Sequence, residues 1–311
     1  MTETDVTPEF AGEQAQKLLR RLTFEINRVV KSCEPDRVHD LRVAIRRFNQ
    51  VLRVFKFSFS SKDRRRIRRQ LKQFLAAAGE VRNCDVVLAL LKKTPRASLD
   101  DLCVKVESQR KERKRQLLGA LRPWVHAKTS VKWRAALVTA AVRTEPVFDA
   151  RGISEIGQSI LPHIAKKVFD QGKRVAGAKS AGDLHDLRIA TKKFRYTLEL
   201  FAPFSAGALD RLQANLKLIQ ARLGDINDCE TMREMMASHP EFEHFQVWLK
   251  KRRQRKTQQF RRDWQTHFGD RQTQQSWIKC LSSLAPEPRP ARKAAGSSGI
   301  VSASKTRAAV A

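Results

Sequence analysis

Two histidine–aspartate pairs, His39–Asp40 and His185–Asp186, stand 146 residues apart, and each opens a run of basic residues spaced by three and four. The first run is HDLRVAIRRFNQVLRVF, residues 39–55, and the second is HDLRIATKKFRYTLELF, residues 185–201. At about 100° per residue, His39, Arg42, Arg46 and Arg53 gather on one face of a helix. Leu41, Ile45, Phe48, Leu52 and Phe55 form a separate apolar stripe, flanked by Arg47 and Lys56. The second copy places His185, Arg188, Lys192 and Arg195 on its polar face and Leu187, Phe194, Leu198 and Phe201 on its buried one. Guanidinium forks and ammonium charges in a row are chemistry for holding phosphates, along a ridge about 21 Å long at 1.5 Å per residue.

A surface helix ordinarily mixes charge signs, which avoids repulsion and gains i,i+4 pairs. These faces align like charges instead, an arrangement that is destabilising unless an anion neutralises it. Asp40, Asp186 and Glu199 are the interruptions, and Glu199 stands where the first copy has Arg53, so the second ridge is shorter. The segments that follow add Arg64, Arg65, Arg66, Arg68, Arg69 and Lys72 in the first copy. Arg211 and Lys217 are the counterparts of Arg66 and Lys72, and these paired positions are the better candidates.

The elements that must position these side chains are helices throughout. Apolar residues recur at three and four from about residue 11 to 284, glycines number only 13, and β-type alternation is missing, so the fold class is all-α. A second matched pair, GEVRNCDV from Gly79 and GDINDCET from Gly224, follows each histidine segment at nearly the same distance. Two matches in one order at one offset predict an internal repeat. Its halves, about 11–146 and 150–284, are expected to be two helical bundles related by a pseudo-twofold axis and joined through Thr144–Gly152. Residues 285–311 turn to Pro, Ala, Ser, Gly and scattered basic residues, the composition of a disordered tail.

The chain as a whole carries 62 Lys and Arg against 32 Asp and Glu, a formal net charge of +30. Self-repulsion of that size points to a polyanionic partner: nucleic acid, anionic membrane or polyphosphate. Five scattered cysteines without a C-x-x-C spacing argue against a disulfide framework or a zinc site and suit a reducing cytosol. The acidic, polar N-terminus does not resemble a signal peptide and no apolar run approaches a membrane span, so a soluble protein without a visible export signal is expected.

Taken together, the two H-D-L-R-[VI]-A-x-[RK]-[RK]-F segments, each with its G-[ED]-[VI]-[RN]-[ND]-C-[DE] partner, resemble the conserved histidine α-helical domain, the CHAD family, over about residues 11–284. The resemblance implies two pseudo-symmetric helical bundles with a basic central groove, in a stand-alone member of the family. It further implies binding of inorganic polyphosphate and a cytoplasmic location at polyphosphate granules. Carried over by position, the family's basic residues fall on His39, Arg42, Arg46, Arg47, Arg82, His185, Arg188, Lys192, Lys193 and Arg195. Asn49 and Asn83 depart from the family pattern, the first replacing a basic residue and the second an acid. Protonation of His39 and His185 would favour phosphate, while neighbouring guanidinium groups oppose that protonation.

Catalysis is not expected, nor a cofactor or a metal. Relatives fused to a CYTH-type triphosphatase carry an E-x-E-x-K strand; the nearest string here, Glu241-Phe242-Glu243, runs on into His244 and Phe245. The His-Asp pairs also lack the further ligands of a metal phosphohydrolase, since adjacent helical residues point about 100° apart. Nucleic acid is the alternative partner, because groove charge does not distinguish polyphosphate from DNA or RNA. The runs RKERKR at 110–115 and KKRRQRK at 250–256 would serve either, but aromatic residues fall on apolar stripes and leave few stacking platforms. Trp124, Trp133, Trp248, Trp264 and Trp277 are accordingly read as packing residues. Neither basic run adjoins a strongly apolar face, which disfavours a membrane surface.

Overall fold

Each apolar stripe buries itself against its neighbour in the chain. Val38, Leu41, Ala44, Ile45, Phe48, Val51 and Leu52 form the inward face of a helix that Pro35 opens at its first turn, where proline's missing N–H costs nothing. The computed structural model describes residues 6–92, 100–143, 153–177, 181–205, 207–237 and 243–284. Among them lie α1 (Val6–Lys31), α2 (Pro35–Val54), α3 (Ser61–Leu91), α4 (Asp100–His126) and α5 (Thr129–Arg143), then α6 (Ile153–Gly177), α7 (Ala181–Phe201), α8 (Asp210–Met235), α9 (Glu243–Trp264) and α10 (Arg271–Ser282). No strand occurs among the described residues, so the chain is all-α. Ser60 caps α3 by accepting a hydrogen bond from the Asp63 amide at 3.4 Å, and Asp270 caps α10 from Thr273 at 2.7 Å.

Among the described residues five helices precede the segment 144–152 and five follow it, and the packing order of the first five recurs in the second. Helix α1 packs on α2, α2 on α3, α3 on α4, and α5 returns to α1; α6, α7, α8, α9 and α10 meet in the same sequence. Across the middle, α2 lies against α7 and α3 against α8. Phe55 and Phe201, 146 residues apart, meet at that seam with ring centroids 6.1 Å apart.

One apolar cluster runs from Ala11 to Leu284 through both sets of helices, so the expected pair of bundles shares a continuous core. Phe48 and Trp124 pack on Trp133, with centroids 6.1 and 5.5 Å away. Trp264 is buried as well, while Trp248 and Trp277 are partly buried against the apolar clusters. A smaller cluster closes one end, where Val87, Leu91, Leu102 and Val106 meet Met232, Met236, Phe245 and Leu249. The expected joint at Thr144–Gly152 and the tail 285–311 lie outside the described residues.

Candidate anion-binding site

The seam between α2 and α7 and the flanking helices α3 and α8 bring basic residues distant in sequence into one group. Helix α2 supplies Arg42 and Arg46, α3 supplies Arg82, and α7 supplies Arg188 and Lys192; Asp228 of α8 is a carboxylate beside Arg188, Arg82 and Lys192. Burial first, then the charges of Arg46, Arg188 and Arg82, pushes Arg42 down to about 9. Lys192 is pushed down to about 6 by burial, then by Arg188, Arg46 and Arg42, with Asp228 opposing weakly. Arg188 is lowered by burial, its fall limited by Asp228, and its buried Nε–H has no hydrogen-bond partner. Burial raises the Asp228 carboxyl, against the pull of Arg188 and Arg82. Five basic side chains therefore crowd together half-buried with Asp228 beside three of them, an arrangement that disfavours their charged forms and that an oxyanion would relieve.

His39 stands at the rim of this group. It is exposed overall, yet partial burial of its ring and then Arg82 lower it below the ordinary imidazole value, with Arg46 and Arg42 acting in the same direction. His185 is also exposed.

Gly79 explains why the second motif begins with glycine in the first half. The Arg42 guanidinium lies across it, with Nη1 2.8 Å from where a Cβ would stand, and donates to the Leu75 carbonyl at 3.3 Å. Gly224, its counterpart, has nothing within 4 Å of the same position. The acids of this motif act as fasteners. Asp85 binds Arg110 of α4 at 2.6 Å, and Arg110 also donates to the Cys33 carbonyl at 2.9 Å. In the second half Glu230 pairs with Arg253 at 3.2 Å. Glu80 faces Arg113 at 3.9 Å and Asp225 faces Lys256 at 2.8 Å. The inward members of both basic runs are thus committed to holding α4 on α3 and α9 on α8.

Other expected site residues are placed differently. Arg47 donates to Glu199 at 2.8 Å and Arg195 lies 3.6 Å from the same carboxylate, so both are tied across or along the seam. Burial lowers Arg47, but the Glu199 hydrogen bond and charge outweigh it and leave Arg47 above its ordinary value. Around the corner, Lys193 is lowered by burial and then by Arg53 and Lys167. Arg68 is lowered by burial and by Arg53 and Arg64, and its Nε donates to Asn49 at 3.0 Å. Asn49 therefore anchors an arginine where the family pattern has a basic residue. Arg66 and Lys72 are exposed on α3, ten to sixteen residues before Arg82, which is about 15–24 Å of helix. Arg211 and Lys217 are likewise exposed and precede Asp228 on α8 by a similar length.

The fold and this group define an all-helical protein with a half-buried cationic centre. A family model for the CHAD domain matches residues 13–237, and the chain belongs to that family. Its architecture is similar to the crystal structure of the CHAD domain from the plant Ricinus communis, with a TM-score of 0.64 at 19% identity over 92% of this chain and 96% of that one. A comparison with curated proteins finds no match. Among the described residues no helix is long and apolar enough to cross a membrane, and no group of three or more His, Cys, Asp or Glu could hold a metal ion.

Proposed function

We propose that this protein binds inorganic polyphosphate without catalysing its turnover, and that it does so in the cytoplasm at polyphosphate granules. The observation that carries this reading is the convergence of Arg42, Arg46, Arg82, Arg188 and Lys192 from three helices, with Asp228 of a fourth beside Arg188, Arg82 and Lys192. A phosphate polymer presents closely spaced charges and no bases, and a group of forks and point charges whose neighbouring ring, Tyr196, is buried is suited to it. Membership in the CHAD family supports the same ligand class. The nucleic-acid alternative loses part of its basis, because Arg110, Arg113, Arg253 and Lys256 of the two basic runs are engaged by Asp85, Glu80, Glu230 and Asp225.

Replacing Arg42, Arg46, Arg188 and Lys192 together by glutamine is expected to weaken polyphosphate binding by about a hundredfold while helical content and melting behaviour are kept or improved, since like-charge repulsion is relieved. Retention at the wild-type level would remove the group from the binding site.

A further inference from the structure

The arginine run at the start of α3 is not used by the central group, and most of its charge is placed against repulsion and the helix dipole. Lys62, Arg65, Arg66, Arg69 and Lys72 are all exposed along three turns of one side of the helix. Lys62 and Arg66, and Arg65 and Arg69, are like-charged pairs at i,i+4, and the first of them also oppose the helix dipole. Asp63 relieves only Arg66, at 3.1 Å, and Arg65 turns back to the Ser61 carbonyl at 3.1 Å. Lys62, Arg69 and Lys72 have no carboxylate among the described residues within ion-pair distance. The fold does not require these charges. Helix α8 and the turn before it hold the matching place in the packing order, with Gly207, Asp210 and Ala214 where the first half has Lys62, Arg65 and Arg69.

We infer that this outer face of α3 is a second anion-binding surface, one that takes a separate stretch of polyphosphate and lets a single molecule bridge two chains. The inference rests on the ligand class proposed above. Arg69, Arg65 and Lys62 precede Arg82 of the central group by 13 to 20 residues, about 20–30 Å of helix, so the two sites are apart on one rigid element. The face carries no aromatic side chain of α3, since Phe74, the aromatic residue of that helix, is buried in the core. It therefore offers charge alone, which favours a base-free polymer over single-stranded nucleic acid.

Calorimetric titration of the full chain with inorganic tripolyphosphate, too short to span the gap, is expected to find two sites. The triple variant Lys62→Gln, Arg65→Gln, Arg69→Gln should keep one of them with affinity unchanged within about twofold, and should scatter at least tenfold less light when mixed with long-chain polyphosphate. A single site in the wild type, or two in the variant, would overturn the inference. So would a variant that loses retention of duplex DNA with both tripolyphosphate sites intact, which would assign the face to nucleic acid. A variant lacking Arg42, Arg188 and Lys192 should lose the other site. If it keeps both while the α3 variant loses one, the central site fails and this surface stands.

Discussion

A methyl group at position 79 would lie against the Arg42 guanidinium, 2.8 Å from Nη1, and would drive it off the Leu75 carbonyl. Gly79→Ala should therefore weaken polyphosphate binding by about tenfold, the loss expected when a charged hydrogen bond is displaced. Because alanine is favoured in a helix interior by about 0.5–1 kcal/mol, the same change should leave the melting temperature level or raised. Gly224→Ala is the control, with nothing within 4 Å to disturb, and should stabilise without any loss of affinity. Lys192 makes a second prediction. Pushed down to about 6 among Arg188, Arg46, Arg42 and Asp228, it is mostly neutral at pH 7.5, and a bound anion restores its proton. Binding should take up protons, and affinity should fall as pH rises above about 6. His39, also lowered, acts with the same sign. The unfolded chain holds the Lys192 proton up to its ordinary value, so this residue makes stability rise with pH between those limits. Calorimetry in buffers of different ionisation heat measures the uptake, which Lys192→Met should reduce; uptake unchanged in that variant would assign the protons elsewhere.

At the level of the helices, Glu80, Asp85, Asp225 and Glu230 hold α4 on α3 and α9 on α8. Asp85 is buried beneath Arg110, which ties α4 to α3 and to the end of α1. Asp85→Ala strands that guanidinium and should cost about 3–5 kcal/mol in a denaturant titration, with polyphosphate affinity kept in the fraction that remains folded. Equal loss of affinity would place Asp85 in the site. The repeating apolar stripes and the like-charged faces of α2 and α7 were legible in the sequence because both follow helical periodicity within one element. The partners were not. Glu199 lies 152 residues from the Arg47 it binds, and Asp228 reaches Arg82 only through the packing of α3 on α8. The same reason accounts for Arg66, Lys72, Arg211 and Lys217, whose pairing between copies was visible but whose distance from the seam depends on how far along α3 and α8 they sit.

Across the molecule, a charge of +30 is distributed unequally. Part of it fastens helices, part lies exposed on the first half of α3, and five basic side chains, Lys192 among them, are held half-buried at the seam where the two sets of helices meet. The continuous core lets that seam keep its geometry despite the repulsion, so the site is formed before the ligand arrives, and preorganisation of this kind favours affinity. The central claim is that the seam selects a phosphate polymer without bases. A competition titration at physiological salt, in which duplex DNA, single-stranded RNA and pyrophosphate each displace labelled long-chain polyphosphate, tests it most directly. Neither nucleic acid is expected to displace polyphosphate at equal phosphate concentration, by a margin of orders of magnitude; even competition by DNA or RNA would contradict selection by the seam.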